Sequence, residues 1–248
     1  MRIVFRCDPA LVDILPRPIP AREALPDWLR SMQRAVLSPA HGQELRTVKQ
    51  CPPFVDAMSH GFVILLPCDV AVDSGRLSWD WDLPPLASRL HPRAPLSFHV
   101  PAQVEGSPFH DPDRMIVKFN SFWTVELEPG WSLFAMHPAN RADLPFQLLT
   151  GLVDADRFTD VGILFPARWT DPGFSGVLPR GTPVAQCFPV PRQPQSLAYE
   201  AMDPAAVGRY DQLAADLLSG PGIYRKRYRA KRSGPGEQGP TQTGEIEE

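Results

Sequence analysis

Six histidines are the first residues to weigh for chemistry: His41, His60, His91, His99, His110 and His137. His110 leads into Asp111-Pro112-Asp113, while His99 and His137 fall on other predicted strands. Two histidines and one carboxylate on a jelly roll can hold iron(II) and leave coordination positions open for oxygen chemistry. Such a set would make the chain an iron-dependent oxygenase or a related tailoring enzyme. The usual His-x-Asp spacing is absent, because Asp111 follows His110 directly and Asp113 stands at three. Isolated surface histidines account for the same residues. Lys118-Phe119-Asn120 places a lysine and an asparagine on one strand face, where Lys118 can bind an anion or merely discourage edge pairing. Cys51, before Pro52-Pro53, would need a histidine or a helix N-terminus to become a nucleophilic thiolate, and no partner is identifiable. The run from Arg225 to Arg232, with Tyr224 and Tyr228, could contact nucleic acid; solvation or pairing with a neighbouring subunit is the commoner fate.

Two further blocks carry more information. Gly151-Leu152-Val153-Asp154-Ala155-Asp156-Arg157-Phe158 precedes the apolar run Val161–Phe165, and Arg180-Gly181-Thr182-Pro183-Val184-Ala185-Gln186-Cys187-Phe188 follows a turn-rich segment. In order and separation, this part of the chain (123–190) resembles the trimeric dUTPase and dCTP deaminase superfamily. The resemblance implies a β-clip fold, a jelly-roll-like β structure, and a homo-oligomer in which a trimer is the usual assembly. It implies that Asp154 holds a sugar hydroxyl and orients a water, as an ionised carboxylate accepting two hydrogen bonds can do. Gln186 matches a phosphate-contacting glutamine. The stretch His137-Pro138-Ala139-Asn140-Arg141 stands where the family has its phosphate loop, offering Asn140 and Arg141 but no serine. The stacking aromatic is one position late, at Phe158, with Arg157 in its place. The family's glycine- and phenylalanine-containing closing arm has no counterpart. Beside these roles stand plainer ones: Asp154 as a turn residue, and Gln186 as a buried amide satisfied by backbone. The whole chain is also similar to a family of bacterial proteins without an established activity, through Thr47–Pro53, Lys118–Asn120 and Gly151–Asp156.

The elements that must position these residues are predicted to be mostly strands. The chain has 248 residues, 43% of them hydrophobic and 21% charged, enough for one sizeable core. Thirty prolines against 17 glycines disfavour long helices and a doubly wound sheet, because proline fixes φ and lacks a donor. A net charge of −3 gives no general reason to expect nucleic acid. Four cysteines without a CxxC pair speak against a zinc ribbon. No signal peptide and no apolar run of about 18 residues is present, so the expectation is a cytoplasmic protein with no membrane partner.

An amphipathic helix is predicted within Ala21–Val36, starting near Pro26, on the face formed by Leu25, Trp28, Leu29, Met32 and Val36. From Leu45 to Gln186 the pattern is strand after strand, including Gly61–Leu66, Arg76–Trp81, Met115–Asn120, Trp123–Leu127, Trp131–Met136, Val161–Phe165 and Val184–Val190. Trp79, Trp81, Trp123 and Trp131 are read as core aromatics. Asp203-Pro204 opens a C-terminal helix to about Leu218. The expected fold is therefore all-β, a β-clip or jelly-roll-like barrel with one N-terminal and one C-terminal helix. It forms a single domain over 1–222, followed by a basic then polar, disordered tail over 223–248.

The function these expectations favour is a dUTPase-related enzyme or ligand-binding protein for a small phosphate- or carboxylate-bearing molecule. Asp154 would be the catalytic group, and Arg141, Gln186, Asn140, Phe158 and Lys118 the ligand contacts. Magnesium would bridge the phosphates if a nucleotide is hydrolysed. The alternatives are the iron oxygenase on His99, His110 and His137, and a non-catalytic assembly module.

Overall fold

A computed structural model describes residues 1–230 and divides the chain at Pro194/Gln195 into two compact units. The first unit holds every strand among the described residues. In chain order these are β1 (Val4–Arg6), β2 (Ile19–Pro20), β3 (Ala35–Ser38), β4 (Gln43–Arg46) and β5 (Phe62–Leu65). Next come β6 (Val70–Asp73), β7 (Arg76–Ser78), β8 (Leu96–His99), β9 (Ile116–Asn120), β10 (Thr124–Glu126) and β11 (Trp131–Met136). The last are β12 (Phe146–Leu148), β13 (Gly151–Val153), β14 (Leu164–Trp169), β15 (Gly176–Leu178) and β16 (Pro183–Pro191). They form a five-stranded sheet in the order β13-β11-β16-β5-β2 and a four-stranded sheet in the order β12-β14-β9-β8. A three-stranded sheet β15-β6-β7 and the pairs β1-β10 and β3-β4 complete the set. All pairings are antiparallel.

Alternation explains how the two larger sheets meet. On β11, Leu133 and Ala135 are buried, whereas Phe134 and Met136 lie on the other face. On β9 and β14, Val117, Phe119, Phe165 and Ala167 are buried in the same core as Leu133, Ala135, Phe62 and Ile64. A second core gathers Leu11, Leu15, Leu83, Phe122 and Trp123, with Trp81 packed against it. Trp79 and Trp131 pack on the main core, so the tryptophans serve packing as expected. The prolines respect the ladders: β5 begins at Phe62, opposite Cys187, so Pro189 lies where β16 has only β11 beside it.

The β-rich class matches expectation, but the strands do not close into a barrel. β13 and β2 remain edges of one sheet, and β12 and β8 edges of the other. The expected N-terminal helix is also shorter. Ala21–Ala24 is a 3₁₀ turn, α1 spans only Asp27–Ser31, and Val36 belongs to β3. The carbonyls that would continue the helix are taken from outside: Lys49 Nζ donates to Arg30 and Met32, and Thr47 donates to Gln33 and Arg34. A helix absent from the expected run of strands, α2 (Pro52–Ser59), starts on the two prolines with Cys51 as its N-cap. The strand expected from Val161 begins at Leu164, because Gly162 passes against Ser121, whose N–H donates to Ile163 O at 3.0 Å.

In the second unit, α3 (Pro204–Leu218) has the expected cap, Asp203 Oδ1 accepting from the Ala206 N–H at 2.6 Å. Tyr224–Tyr228 forms a π-helical turn, with Arg227 Nη1 and Tyr228 Oη both on Asp216 Oδ2. The remainder of the expected tail, 231–248, lies outside the described residues.

Gly61 has φ +70, and a Cβ there would meet the Cys187 carbonyl oxygen at 2.1 Å. Gly42 has a similar φ of +62 and nothing nearby. Gly61→Ala should cost about 3 kcal/mol or more, from left-handed strain plus a backbone clash, and Gly42→Ala about 1 kcal/mol. Urea denaturation of the pair checks this; equal losses would contradict the close approach.

Candidate functional site

The two motif blocks lie on strands that flank β11 on either side, β13 and β16. They nevertheless place their functional residues at opposite ends of it. Asp154 accepts from Ser132 Oγ at 2.7 Å and from Arg192 Nη1 at 3.1 Å, with its side chain 58% exposed. Arg192 also grips Asp156, whose side chain is 5% exposed and whose Oδ2 accepts from the Gly130 N–H at 2.9 Å. The Arg192 N–H closes the cluster by donating to Gly130 O at 2.9 Å. The Arg192 guanidinium, and after it the Gly130 N–H, hold the Asp156 carboxyl well below its ordinary 3.8.

Gln186 stands opposite Met136, four residues along β11 from Ser132, or roughly 13 Å at about 3.3 Å per residue. Only 2% exposed, it accepts from the Ala139 N–H at 2.8 Å and donates to Ala57 O at 2.8 Å and His60 O at 2.7 Å. It is a buried amide satisfied by backbone, joining the end of α2 to the loop after β11. Arg141 makes a bidentate pair with Asp143, Nε and Nη2 donating at 2.9 Å each. Burial opposes ionisation of Asp143, but Arg141 more than offsets it and the carboxyl sits below its ordinary value. Asn140 adopts φ +59 and its amide reaches Phe54 O at 3.5 Å. Phe158 is exposed, and Lys118 projects from the face of β9 opposite Val117 and Phe119. Asp154 is therefore not brought together with Gln186, Arg141 and Asn140 within one chain.

The histidines also remain apart. His99 ends β8, His110 lies in the loop before β9, and His137 follows β11. His137 Nδ1 accepts from the Leu148 N–H at 3.3 Å, so Nε2 carries the proton that goes to Arg141 O at 3.0 Å. Burial lowers its pKa, and both ring nitrogens are already engaged. Among the described residues, no group of three or more His, Cys, Asp or Glu side chains is placed to hold a metal ion. The described residues thus fit neither the iron centre nor a magnesium site, since Asp156 is enclosed by Arg192 and Gly130 and Asp154 is held by Ser132 and Arg192. Cys187 and Cys68 are core thiols, and burial pushes Cys68 up to about 11. Cys51 is exposed at the start of α2.

A larger concave feature lies elsewhere, where the β6–β7 hairpin faces one end of the four-stranded sheet. An apolar arm of about 570 Å³ is floored by Leu77, Phe98, Met115, Val117 and Trp169, with Asp113 at its mouth. A polar arm of about 300 Å³ continues past Arg114, Met115 and Trp169 to His110, Asp111 and Arg168. The pairing of Ala167 with Val117 brings the Arg168-Trp169 end of β14 beside Met115 and Ile116. Trp169 is held by Phe146 and Phe174, at ring distances of 6.3 and 5.9 Å, and its Nε1 donates to Asp171 O at 2.7 Å. Its indole N–H is thus engaged, and its ring offers an apolar surface. Arg114 pairs with Asp111 at 3.4 Å. Arg168 is exposed and has no ion pair or side-chain hydrogen bond among the described residues. His99, opposite Ile116, keeps a buried Nδ1 without a partner close to this groove. Of the groove residues, sequence reasoning singled out only His110 with Asp111 and Asp113, and for a different chemistry. Arg114-Met115 and Arg168-Trp169, two cation-plus-apolar pairs at strand ends, were the available signal.

Replacing Gln186 by Leu orphans the Ala139 N–H and the His60 carbonyl, at about 1–3 kcal/mol each, while Ala57 O keeps the His60 N–H at 3.4 Å. The expected loss is at least about 2 kcal/mol, or a fall in Tm of roughly 4–8 °C by calorimetry; an unchanged Tm would contradict the bridging role. Asp156→Asn tests the Arg192 cluster through pH. A carboxyl depressed in the folded state stabilises above its ordinary value and loses that contribution as pH falls. The variant should melt lower than wild type near neutral pH, with the gap narrowing below about pH 4. A gap independent of pH would contradict the ion pair.

No protein-family model matches the chain, and no curated protein matches it.

Proposed function

We propose that this chain is a ligand-binding protein of β-clip type, related to the dUTPase superfamily, for a small molecule joining a phosphate or carboxylate head to an apolar body. The observation that carries this is the two-armed groove. An apolar arm floored by two aromatic rings opens into a polar arm in which Arg168 has no ion pair or side-chain hydrogen bond among the described residues. Concave sites of several hundred cubic ångströms, mostly apolar with a few convergent polar groups, are where small ligands bind. An exposed guanidinium beside a fixed indole supplies charge and orientation. The superfamily relation is supported by the order of the two motif blocks and by their placement on the strands flanking β11. Binding is favoured over hydrolysis because Asp154, Gln186 and Arg141 already have protein partners.

Met115, 55% exposed, stands where the two arms join. Met115→Trp would fill that junction, and as a change at an exposed position it should alter stability by only about 0.5 kcal/mol, or roughly 2 °C in Tm. Ligand-observed NMR with phenylbutyrate and phenylbutyl phosphate should show binding to the wild type and none to the variant. Binding retained by the variant, or absent from the wild type, would remove the groove as the site.

A further inference from the structure

The charges around the groove discriminate between the two head groups left open above. Arg114 is compensated by Asp111, 3.4 Å away, and Asp113 adds a second carboxylate at the mouth of the apolar arm. Of the two arginines, Arg168 has no ion pair among the described residues. Two arginines against two aspartates leave the groove as a whole near neutrality, and the polar arm with one surplus positive charge. A phosphate monoester carries about −1.5 to −2 charges near neutral pH, with three acceptor oxygens that call for several donors. It would bring that excess charge toward Asp111 and Asp113. A carboxylate carries one charge, and its two oxygens match the fork of a single guanidinium.

Resting on the groove reading, we infer that the ligand is a monocarboxylate with an aryl or short acyl body, and that Arg168 determines this specificity. The carboxylate lies in the polar arm on Arg168, with the His110 imidazole within the same arm as a further hydrogen-bonding group. The body lies in the apolar arm against Trp169, Phe98 and Met115. Because Trp169 Nε1 is engaged by Asp171, the body is recognised by shape and stacking and needs no acceptor of its own.

Isothermal titration calorimetry of the full chain, at low ionic strength and near neutral pH, separates the possibilities with three probes of one body: phenylbutyrate, phenylbutyl phosphate and phenylbutanol. The carboxylate should bind about tenfold or more tighter than either of the others. Arg168→Gln should bring it to the affinity of the alcohol, leave the alcohol unchanged, and leave the melting curve unchanged. Phosphate binding as tight as carboxylate, or tighter, overturns the inference while the groove reading stands. Equal affinity for all three removes head-group recognition by Arg168. No binding by any of them overturns the inference together with the groove reading.

Discussion

The register of β14 against β9 decides what the groove can do. Ala167 stands opposite Val117, so Trp169 turns toward the core side with Phe146, while Arg168, one residue earlier, turns outward. Because side chains alternate with a period of two, a slip of one residue would exchange them, burying a guanidinium and exposing an indole. Burial of Phe165 and Ala167 in the main core therefore pins the position of both residues. The apolar arm exists because the β6–β7 hairpin, with Leu77, stands across from that same end of the sheet.

A second constraint is the satisfaction of backbone groups in a chain with short strands and many prolines. Where regular ladders end, single side chains take over. Gln186 binds three backbone groups from two segments, Lys49 two carbonyls at the end of α1, and Arg192 a turn and two carboxylates. Polar residues that resemble catalytic ones can thus be structural, because a buried unpaired amide costs about as much as the hydrogen bond it lacks. Gln186 and Arg141 are of this kind. Asp154 differs, since it remains largely exposed beside its arginine.

Strands whose alternation is local were legible in the sequence. β11 spans Trp131–Met136 as read, and α3 begins at Pro204 under an aspartate cap. The helix expected up to Val36 was not legible, because side chains from Thr47 and Lys49 capture its carbonyls. α2 was hidden by Val55 and Phe54, which suit a strand equally well, although Pro52-Pro53 after Cys51 marks a helix start. The groove was the least legible feature. Its residues come from separated stretches around Leu77, Phe98, Arg114 and Trp169, and no spacing within any one of them announces a site. The second motif block was legible as part of a strand, Val184–Val190, but β13 at Gly151–Val153, the flanking of β11 by both blocks, and the distance between Asp154 and Gln186 along β11 were not.

The most direct measurement is an amide NMR titration of the full chain with phenylbutyrate, which locates the ligand whatever its affinity. Perturbations should gather on Leu77, Phe98, Arg114–Val117 and Arg168–Thr170. Perturbations gathered instead on Ser132, Asp154 and Arg192, or on Ala139–Arg141, would contradict the groove as the binding site.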